Sequence, residues 1–384
     1  MRSVNYMHKT LLFIITMITL GFSSVVQTIE EKIEYNNGID FKKNIILSSM
    51  PIQPLADKLT QTSFIFIGEN HTEYSNHIKQ LEIIKALYQK NKNISIGMEM
   101  FSSSYNKIIS EYISKKITEA ELLKFSNYFL EWGYDYQYYK DILDFARKNN
   151  IDVIGLNIKN DIIRKIGRHS FQDITQEELK EIPDQIDFSN VTYKNSLSQI
   201  FTQHPGYENK LPDNFYLSQL IRDEYMAQSA SQYIKANPQK TMILLVGNGH
   251  VEFGFGIPKR LQRITGKSNQ IIVLDLAFKP GAADYFVYTQ HVKMKTSPRL
   301  KVMISSTNEK VTVIGFSSKE IKDKHVLKEK DEILSLNNVP VHSIADIRLF
   351  LYDKKPGDII EISLVRGKQP IIEKYTLEEN EDEE

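Results

Sequence analysis

The chain has 384 residues, of which 41% are hydrophobic and 25% are charged, and its formal net charge at pH 7 is zero. This length predicts two domains, and the balanced charge argues against nucleic acid or an anionic membrane as a partner. The absence of cysteine excludes disulfides, thiolate metal sites, cysteine nucleophiles and a lipid anchor on an N-terminal cysteine.

The N-terminus has the pattern of an export signal. Arg2 and Lys9 precede an apolar stretch at 11–20, and small residues follow at 21–24. Basic, apolar and small residues in this order are typical of a secretory signal peptide, and the apolar stretch is shorter than the ~20 residues of a membrane-spanning helix. We therefore expect residues 1–24 to be cleaved and the mature protein to work in the periplasm or cell envelope; an uncleaved anchor is the alternative.

Residues 25–60 form a lead-in with little periodicity, and apolar runs then alternate with helical patterns. This alternation predicts an α/β domain over residues 61–290, with a mainly parallel sheet in a three-layer α/β/α arrangement. We expect the weakly periodic segment 171–211 to be an insertion over a functional pocket. The predicted strands are 63–68, 94–98, 152–156, 241–246 and 270–276, and the predicted helices are 77–90, 103–114, 118–127, 137–148, 160–167 and 214–236.

Strand patterns dominate from about residue 291 and predict a small β-rich domain over 291–377. Pro356 and Gly357 suit the central positions of a type II turn, and the acidic residues 378–384 are expected to be a solvated tail. The predicted strands are 301–305, 310–316, 332–336, 359–365 and 371–377, with one helix at 343–352.

Titratable residues follow three of the predicted strands. Glu69 and His71 come after the first, Glu99 after the second and His250 after the strand at 241–246. Because ligands of parallel α/β sheets lie outside the carboxyl ends of the strands, we expect these four side chains to share one pocket. Histidine with carboxylates can bind a divalent cation or serve as acid and base. The alternative is that both histidines are structural residues hydrogen-bonded to loop backbone.

Two further groups of side chains are candidates for this pocket. The aromatic residues 132–139 either line a flat hydrophobic ligand, offering a phenolate to iron, or pack on the sheet at a helix start. His77, in the first turns of a predicted helix, is expected to be exposed. The polar residues near 222 are expected to support the pocket histidines, with a surface ion-pair group as the alternative; they are Gln219, Arg222, Asp223 and Glu224.

The chain resembles the ChaN-like family, haem-binding uptake proteins of the wider Tiki and erythromycin-esterase-like group. The resemblance covers roughly residues 60–280, and the matching stretches are 68–71, 97–101, 155–158, 219–227, 247–251 and 256–260. It implies a three-layer α/β fold, export, and haem or iron acquisition, with haem bound at a dimer contact through Tyr and His. The implied cofactor-binding residues are Glu69, His71, Glu99, Tyr136, Tyr139, His204, Tyr207, Asp223, Asn248 and His250.

Family members are often lipoproteins, and this chain departs from them because it has no cysteine. The iron ligand stays open among Tyr136, Tyr139, Tyr207 and His204.

The C-terminal domain resembles a PDZ domain at residues 331–338, 341–347, 355–358 and 361–367. The resemblance implies a peptide or protein partner held by strand addition. Lys330 stands where that family usually has glycine, and its carboxylate-binding loop is not recognisable near residues 297–300.

Three functions are consistent with these features. The first is an exported haem-binding protein of iron or haem uptake that performs no turnover. The second is a hydrolase of ester or peptide bonds, either metal-free or with a divalent metal on Glu69, His71, Glu99 and His250. The third is an adaptor that works mainly through the C-terminal domain.

Overall fold

The structure, a computed structural model, describes residues 45–47, 52–203 and 212–379. The predicted signal at 1–24 and the candidate ligands His204 and Tyr207 lie outside these residues. Within the described part of the chain, no helix is both long and apolar enough to span a membrane.

The larger domain alternates strands with helices along the chain. Its strands are β1 (Ile45–Leu47), β2 (Phe64–Glu69), β3 (Ile94–Ser102), β4 (Asp152–Asn157), β5 (Thr241–Gly247), β6 (Asn269–Leu274) and β7 (Tyr285–Val287). Its helices are α1 (Ile52–Leu59), α2 (Tyr74–Lys90), α3 (Asn106–Ile113), α4 (Glu119–Phe125), α5 (Tyr128–Glu131), α6 (Gln137–Asn149), α7 (Asn160–His169), α8 (Gln176–Leu179), α9 (Val191–Gln203), α10 (Pro212–Ala236) and α11 (Ile257–Thr265).

The seven strands form one sheet in the order β1-β7-β6-β2-β5-β3-β4. Every neighbouring pair is parallel. Strand β5 lies between β2 and β3, and Glu69 at the end of β2 is level with Gly247 at the end of β5. The carboxyl ends of these three strands therefore meet at one edge of the sheet.

Helices cover both faces of this sheet, because its central strands are apolar at nearly every position. Ile65 and Ile67 of β2 belong to the core shared with α1, α2 and α6. Phe64 and Phe66, the alternate residues, belong to the core shared with α10 and α11. Buried parallel strands typically show such continuous apolar runs, so the predicted α/β/α fold with a parallel sheet is confirmed.

The smaller domain is an antiparallel sheet closed by a second core. Its elements are β8 (Met303–Thr307), β9 (Lys310–Gly315), α12 (Lys319–Lys324), β10 (Glu332–Leu336), β11 (Val339–Pro340), α13 (Ile344–Leu351), β12 (Ile359–Arg366) and β13 (Gln369–Thr376). The strand order is β13-β12-β10-β9-β8, with β11 paired to β10. The β-rich second domain is thereby confirmed.

The predicted type II turn is also confirmed. The amide of Asp358 donates to the carbonyl of Lys355 at 3.1 Å, and Gly357 has φ of +94°. The third residue of a type II turn needs a positive φ, which glycine adopts without steric cost.

Candidate functional site

The structure brings Glu69, His71, Glu99 and His250 together at the shared edge of β2, β3 and β5. Glu69 ends β2, Glu99 lies within β3, and His250 lies in a short 3-10 helix directly after β5. All except His71 are less than one tenth exposed. These residues form a first pair, Glu69 with His71, and a second group around His250.

Glu69 is a buried carboxylate surrounded by donors. It accepts hydrogen bonds from Gln80 Nε2 at 2.6 Å and the Tyr139 hydroxyl at 3.0 Å, and it lies 2.8 Å from His71 Nδ1. Burial by itself would raise the pKa of Glu69, but attraction to His77 and hydrogen bonds from His71 and His77 lower it to about 2. Glu69 is therefore ionised at neutral pH and accepts the Nδ1 proton of His71.

His71 presents its ring at the rim of this site. Its side chain is 21% exposed, and Nδ1 faces Glu69, so Nε2 is directed away from that carboxylate. Burial would lower the pKa of His71, but its hydrogen bond to Glu69 and the charges of Glu99 and Glu69 raise it. A carboxylate on one ring nitrogen of a histidine fixes its tautomer and orientation, as in many metal-ligating histidines.

The second group is a chain of hydrogen bonds centred on His250. Its Nδ1 lies 2.7 Å from Asp223 and its Nε2 lies 3.3 Å from Glu99. The hydroxyl of Tyr193 donates to the other oxygen of Asp223 at 2.8 Å. Burial would lower the pKa of His250, but the charges of Glu99 and Asp223 raise it to about 10. His250 is consequently an imidazolium held between two carboxylates.

Gly247 joins the two groups. Its amide donates to Glu99 Oε2 at 2.8 Å, and a Cβ at this position would lie 3.0 Å from His71 Nε2 and 3.7 Å from the same Glu99 oxygen. His71 and Glu99 thus converge on a position that has room only for glycine.

Aromatic rings flank these acid–histidine groups on two sides. The rings of Trp132 and Tyr134 lie 4.9 Å and 5.0 Å from the His71 ring. On the other side Phe255 lies 6.1 Å from Tyr193 and stacks on Phe253. Tyr134 and Phe253 are exposed, so the rim combines polar donors with apolar surface, as small-molecule sites commonly do.

The expectation that His77 is exposed is wrong. Its side chain is buried, with Nδ1 3.4 Å from Glu69 and Nε2 3.2 Å from the carbonyl oxygen of His71. His77 shares a helix face with Gln80, Ile84 and Leu87, and this face of α2 packs on the sheet. The apolar spacing along α2 contained the signal, because residues three, seven and ten positions apart lie on one side of a helix.

The candidate ligands Tyr136 and Tyr139 are both fully buried. Their hydroxyls donate to Glu119 and Glu69 at 3.3 Å and 3.0 Å. Burial raises the pKa of both phenols well above the usual value. The aromatic segment 132–139 therefore divides into rings that pack inside the domain and rings that reach the rim.

The polar residues of α10 also divide. Asp223 contacts His250, as expected for a partner of a pocket histidine. Glu224 instead pairs with Arg260 at 3.0 Å and Arg263 at 2.6 Å, and Arg222 donates to Asn160 at 3.2 Å. No contact of Gln219 with the pocket histidines is found in the described part of the chain. Asn248 donates to the Leu274 carbonyl at 3.2 Å and holds the turn after β5.

Two residues of the site were missed in the sequence. Gln80, which contacts Glu69, lies one helical turn after His77, and this spacing was a usable signal. Tyr193 lies on α9 inside the segment 171–211, where the weak periodicity singled out no residue. This contact places part of the predicted insertion directly against the site.

The described residues contain no group of three or more His, Asp or Glu side chains arranged to hold a metal ion. The carboxylates and imidazoles are engaged with one another instead, in the pairs given above. The alternative of a divalent metal on Glu69, His71, Glu99 and His250 therefore has no support from this geometry.

Comparison with solved structures supports the fold of the larger domain. The structure entitled cofacial heme binding to ChaN of Campylobacter jejuni aligns with a TM-score of 0.50 and 20% identity, over 62% of this chain and 91% of that one. A mutant erythromycin esterase EreC in its open conformation aligns with a TM-score of 0.36 and 14% identity, over 76% and 86%. A succinoglycan biosynthesis protein aligns with a TM-score of 0.38 and 13% identity, over 65% and 75%.

A search of curated proteins gave no significant match. The family model described as haem-binding uptake, Tiki superfamily, ChaN, matches residues 55–261. This range is more than half of the chain and contains Glu69, His71, Glu99, Asp223 and His250. With the parallel sheet and the site at its carboxyl edge, the match shows that the chain belongs to the ChaN family of haem-binding uptake proteins.

Proposed function

We propose that this protein is an exported haem-binding protein of iron or haem uptake, which holds haem over the carboxyl ends of β2, β3 and β5 at a contact between two copies. Its family membership supports haem as the ligand. The observation that carries the position is His71, whose partly exposed ring is oriented by the ionised Glu69 and flanked by aromatic rings.

The donors present fit haem through an imidazole. Nδ1 of His71 is engaged by Glu69, so Nε2 is the nitrogen available to an axial position. Tyr136 and Tyr139 are less suited, because their buried phenols already donate to carboxylates. The candidates His204 and Tyr207, outside the described residues, stay within the proposal as the second side of the pocket. Haem supplies the iron and the flat apolar surface, and this chain supplies orientation and exclusion of water.

The test is a haem titration of the protein from residue 25 onward, followed by absorbance, with metal content measured on the same sample. The parent should give a saturable Soret shift at about one haem per chain, and His71→Ala should weaken binding by about tenfold or more, as the loss of one axial ligand or strong hydrogen bond does. His169→Ala, an exposed histidine paired with Asp173, is the matched control. A parent without a Soret shift, or a His71→Ala variant that binds as tightly as the parent, contradicts the proposal.

Haem binding through Nε2 should also depend on pH. An imidazolium cannot ligate iron, and the pKa of His71 is raised, so binding at this nitrogen displaces a proton. Haem affinity of the parent should increase as pH rises through the range in which His71 loses its proton, and His71→Ala should lack that increase.

The second candidate function is hydrolysis of ester or peptide bonds, favoured by the Asp223–His250–Glu99 chain, which is more elaborate than haem binding requires. The raised pKa of His250 makes it an acid or a charge stabiliser at neutral pH, and leaves Glu69 with His71 to accept a proton from water. Turnover of activated esters that is lost in His250→Gln and retained in His169→Ala would support a hydrolase. No turnover in the parent would exclude this activity for those esters.

The C-terminal domain is part of the proposal as a docking module for a peptide or protein partner. It is supported by the position of β8 at the end of the sheet order, because an extended peptide can add to a terminal strand. Capture of peptides by the parent, lost when proline replaces Ser305 within β8, would support this role.

A further inference from the structure

The segment 132–137 lies between the site and the C-terminal domain. It joins the end of α5 at Glu131 to the start of α6 at Gln137. The rings of Trp132 and Tyr134 lie on the His71 side, 4.9 Å and 5.0 Å from the imidazole. This segment therefore forms one wall of the rim.

The C-terminal part of the chain holds the same segment from the opposite side, through alternate residues. Arg348 Nη1 of α13 donates to the Gly133 carbonyl at 3.0 Å. The amide of Ser297 donates to Asp135 Oδ2 at 3.0 Å. Gln137 Nε2 in turn donates to the carbonyl of Tyr352, at the end of α13, at 3.0 Å. Three successive odd-numbered residues are tied to the second domain, while the two even-numbered rings between them face His71.

These ties matter because the segment has little regular structure of its own. Trp132 is extended, with φ of −128° and ψ of 126°, and residues 132–135 belong to no helix or strand. A short connection without a hydrogen-bond ladder takes its conformation from whatever contacts it. The described contacts from outside the larger domain come from Arg348, Ser297 and Tyr352.

We propose that the C-terminal domain positions the aromatic wall of the haem site, with Arg348 as a positioning residue that acts on His71 through Gly133 and the rings of Trp132 and Tyr134. This inference rests on the proposed haem function. The domain is then a structural component of the site, in addition to any docking role. A wall that is ordered before the ligand arrives saves the ordering entropy that binding would otherwise cost.

The test uses the only tryptophan of the chain, Trp132, in the protein from residue 25 onward. Acrylamide quenching of its fluorescence, measured without haem, reports how well the wall is packed. Arg348→Ala should increase quenching and weaken haem binding by about tenfold, the usual effect of losing one charged hydrogen bond. Arg348→Lys, which keeps one donor and the charge, should restore part of both.

Two further variants separate positioning from general loss of stability. Arg366→Ala breaks the ion pair with Asp331 inside the C-terminal domain, away from the segment, and should leave quenching and haem affinity unchanged. Gln137→Ala removes the tie to Tyr352 from the other domain and should act like Arg348→Ala, including if that variant fails to fold.

The outcomes distinguish this inference from the proposed function. Quenching and haem affinity equal to the parent in both Arg348→Ala and Gln137→Ala would overturn the inference and leave haem binding intact. Equal changes in Arg366→Ala would also overturn it. If the parent binds no haem, the proposed function fails, the haem site that the wall would serve is lost and the inference falls with it; quenching then reports only how the two domains contact.

Discussion

At the scale of single residues, the site depends on charges that are buried but compensated. Glu69 is ionised although it is almost completely buried, because His71, His77, Gln80 and Tyr139 all direct donors at it. A buried charge without such partners would be expensive. The Glu69 donors include two residues, His71 and His77, that are close in sequence, and two that only folding brings near.

The lowered pKa of Glu69 predicts a dependence of stability on acid. A carboxyl whose pKa falls from 4.5 in the unfolded chain to about 2 in the folded one stabilises the folded state above pH 4.5. This contribution, about 3 kcal/mol at neutral pH, is lost as pH falls from 4.5 towards 2. Glu69→Gln should therefore be less stable than the parent at neutral pH and should show a flatter acid limb.

Urea unfolding between pH 2.5 and 7 measures this effect. Glu177→Gln, which changes an exposed glutamate on α8, is the control and should follow the parent. A Glu69→Gln variant whose free energy of unfolding keeps the full acid dependence of the parent would show that other carboxylates cause it.

At the scale of elements, the turn from β5 to α11 determines where Asp223 and His250 meet. Gly256 precedes α11, and a Cβ there would lie 2.2 Å from the carbonyl oxygen of His250 and 3.0 Å from Asp223 Oδ1. The close backbone contact cannot be relieved by rotating a side chain. This part of the loop therefore requires glycine for reasons of space, since the φ of Gly256 is −82°.

Gly256→Ala should therefore destabilise the protein and disturb the site. We expect a loss of about 1–3 kcal/mol, the usual cost of overpacking, together with weaker haem binding because Asp223 and His250 are displaced. Gly249→Ala is a matched control in the same loop, since nothing lies within 4 Å of its Cβ position. Thermal unfolding and haem titration of both variants check the prediction, which fails if the two behave alike.

The elements also show which predictions depended on local pattern. The strands at the centre of the sheet were recognisable because each is a continuous apolar run, as at Phe64–Glu69 and Thr241–Gly247. The short strands β1 and β7, three residues each, were not predicted. Three residues are too few for a periodic signal, and these strands are defined by pairing with each other and with β6.

At the scale of the whole molecule, the rim offers an open apolar surface. Tyr134 and Phe253 are exposed beside the acid–histidine groups, and exposed aromatic rings around a site are typical of a surface that another molecule covers. Haem seated there would keep one face accessible, and a second copy carrying its own haem could cover that face.

This arrangement predicts that haem promotes dimerisation. Sedimentation of the parent should shift towards twice the monomer mass when about one haem per chain is added, and His71→Ala should not shift under the same conditions. A parent that binds haem and keeps the mass of its haem-free form would contradict the dimer contact and leave haem binding in place.

The sequence by itself determined the α/β class, the β-rich second domain and the meeting of Glu69, His71, Glu99 and His250. These follow from local patterns, because parallel strands end at the same edge and carry the residues after them to one place. Only the tertiary structure decided that His77 is buried, that Tyr193 contacts Asp223, and that Arg348 reaches Gly133. The last two contacts join residues 30 and 215 positions apart. Such contacts depend on how helices pack against the sheet and the second domain, which no local pattern encodes.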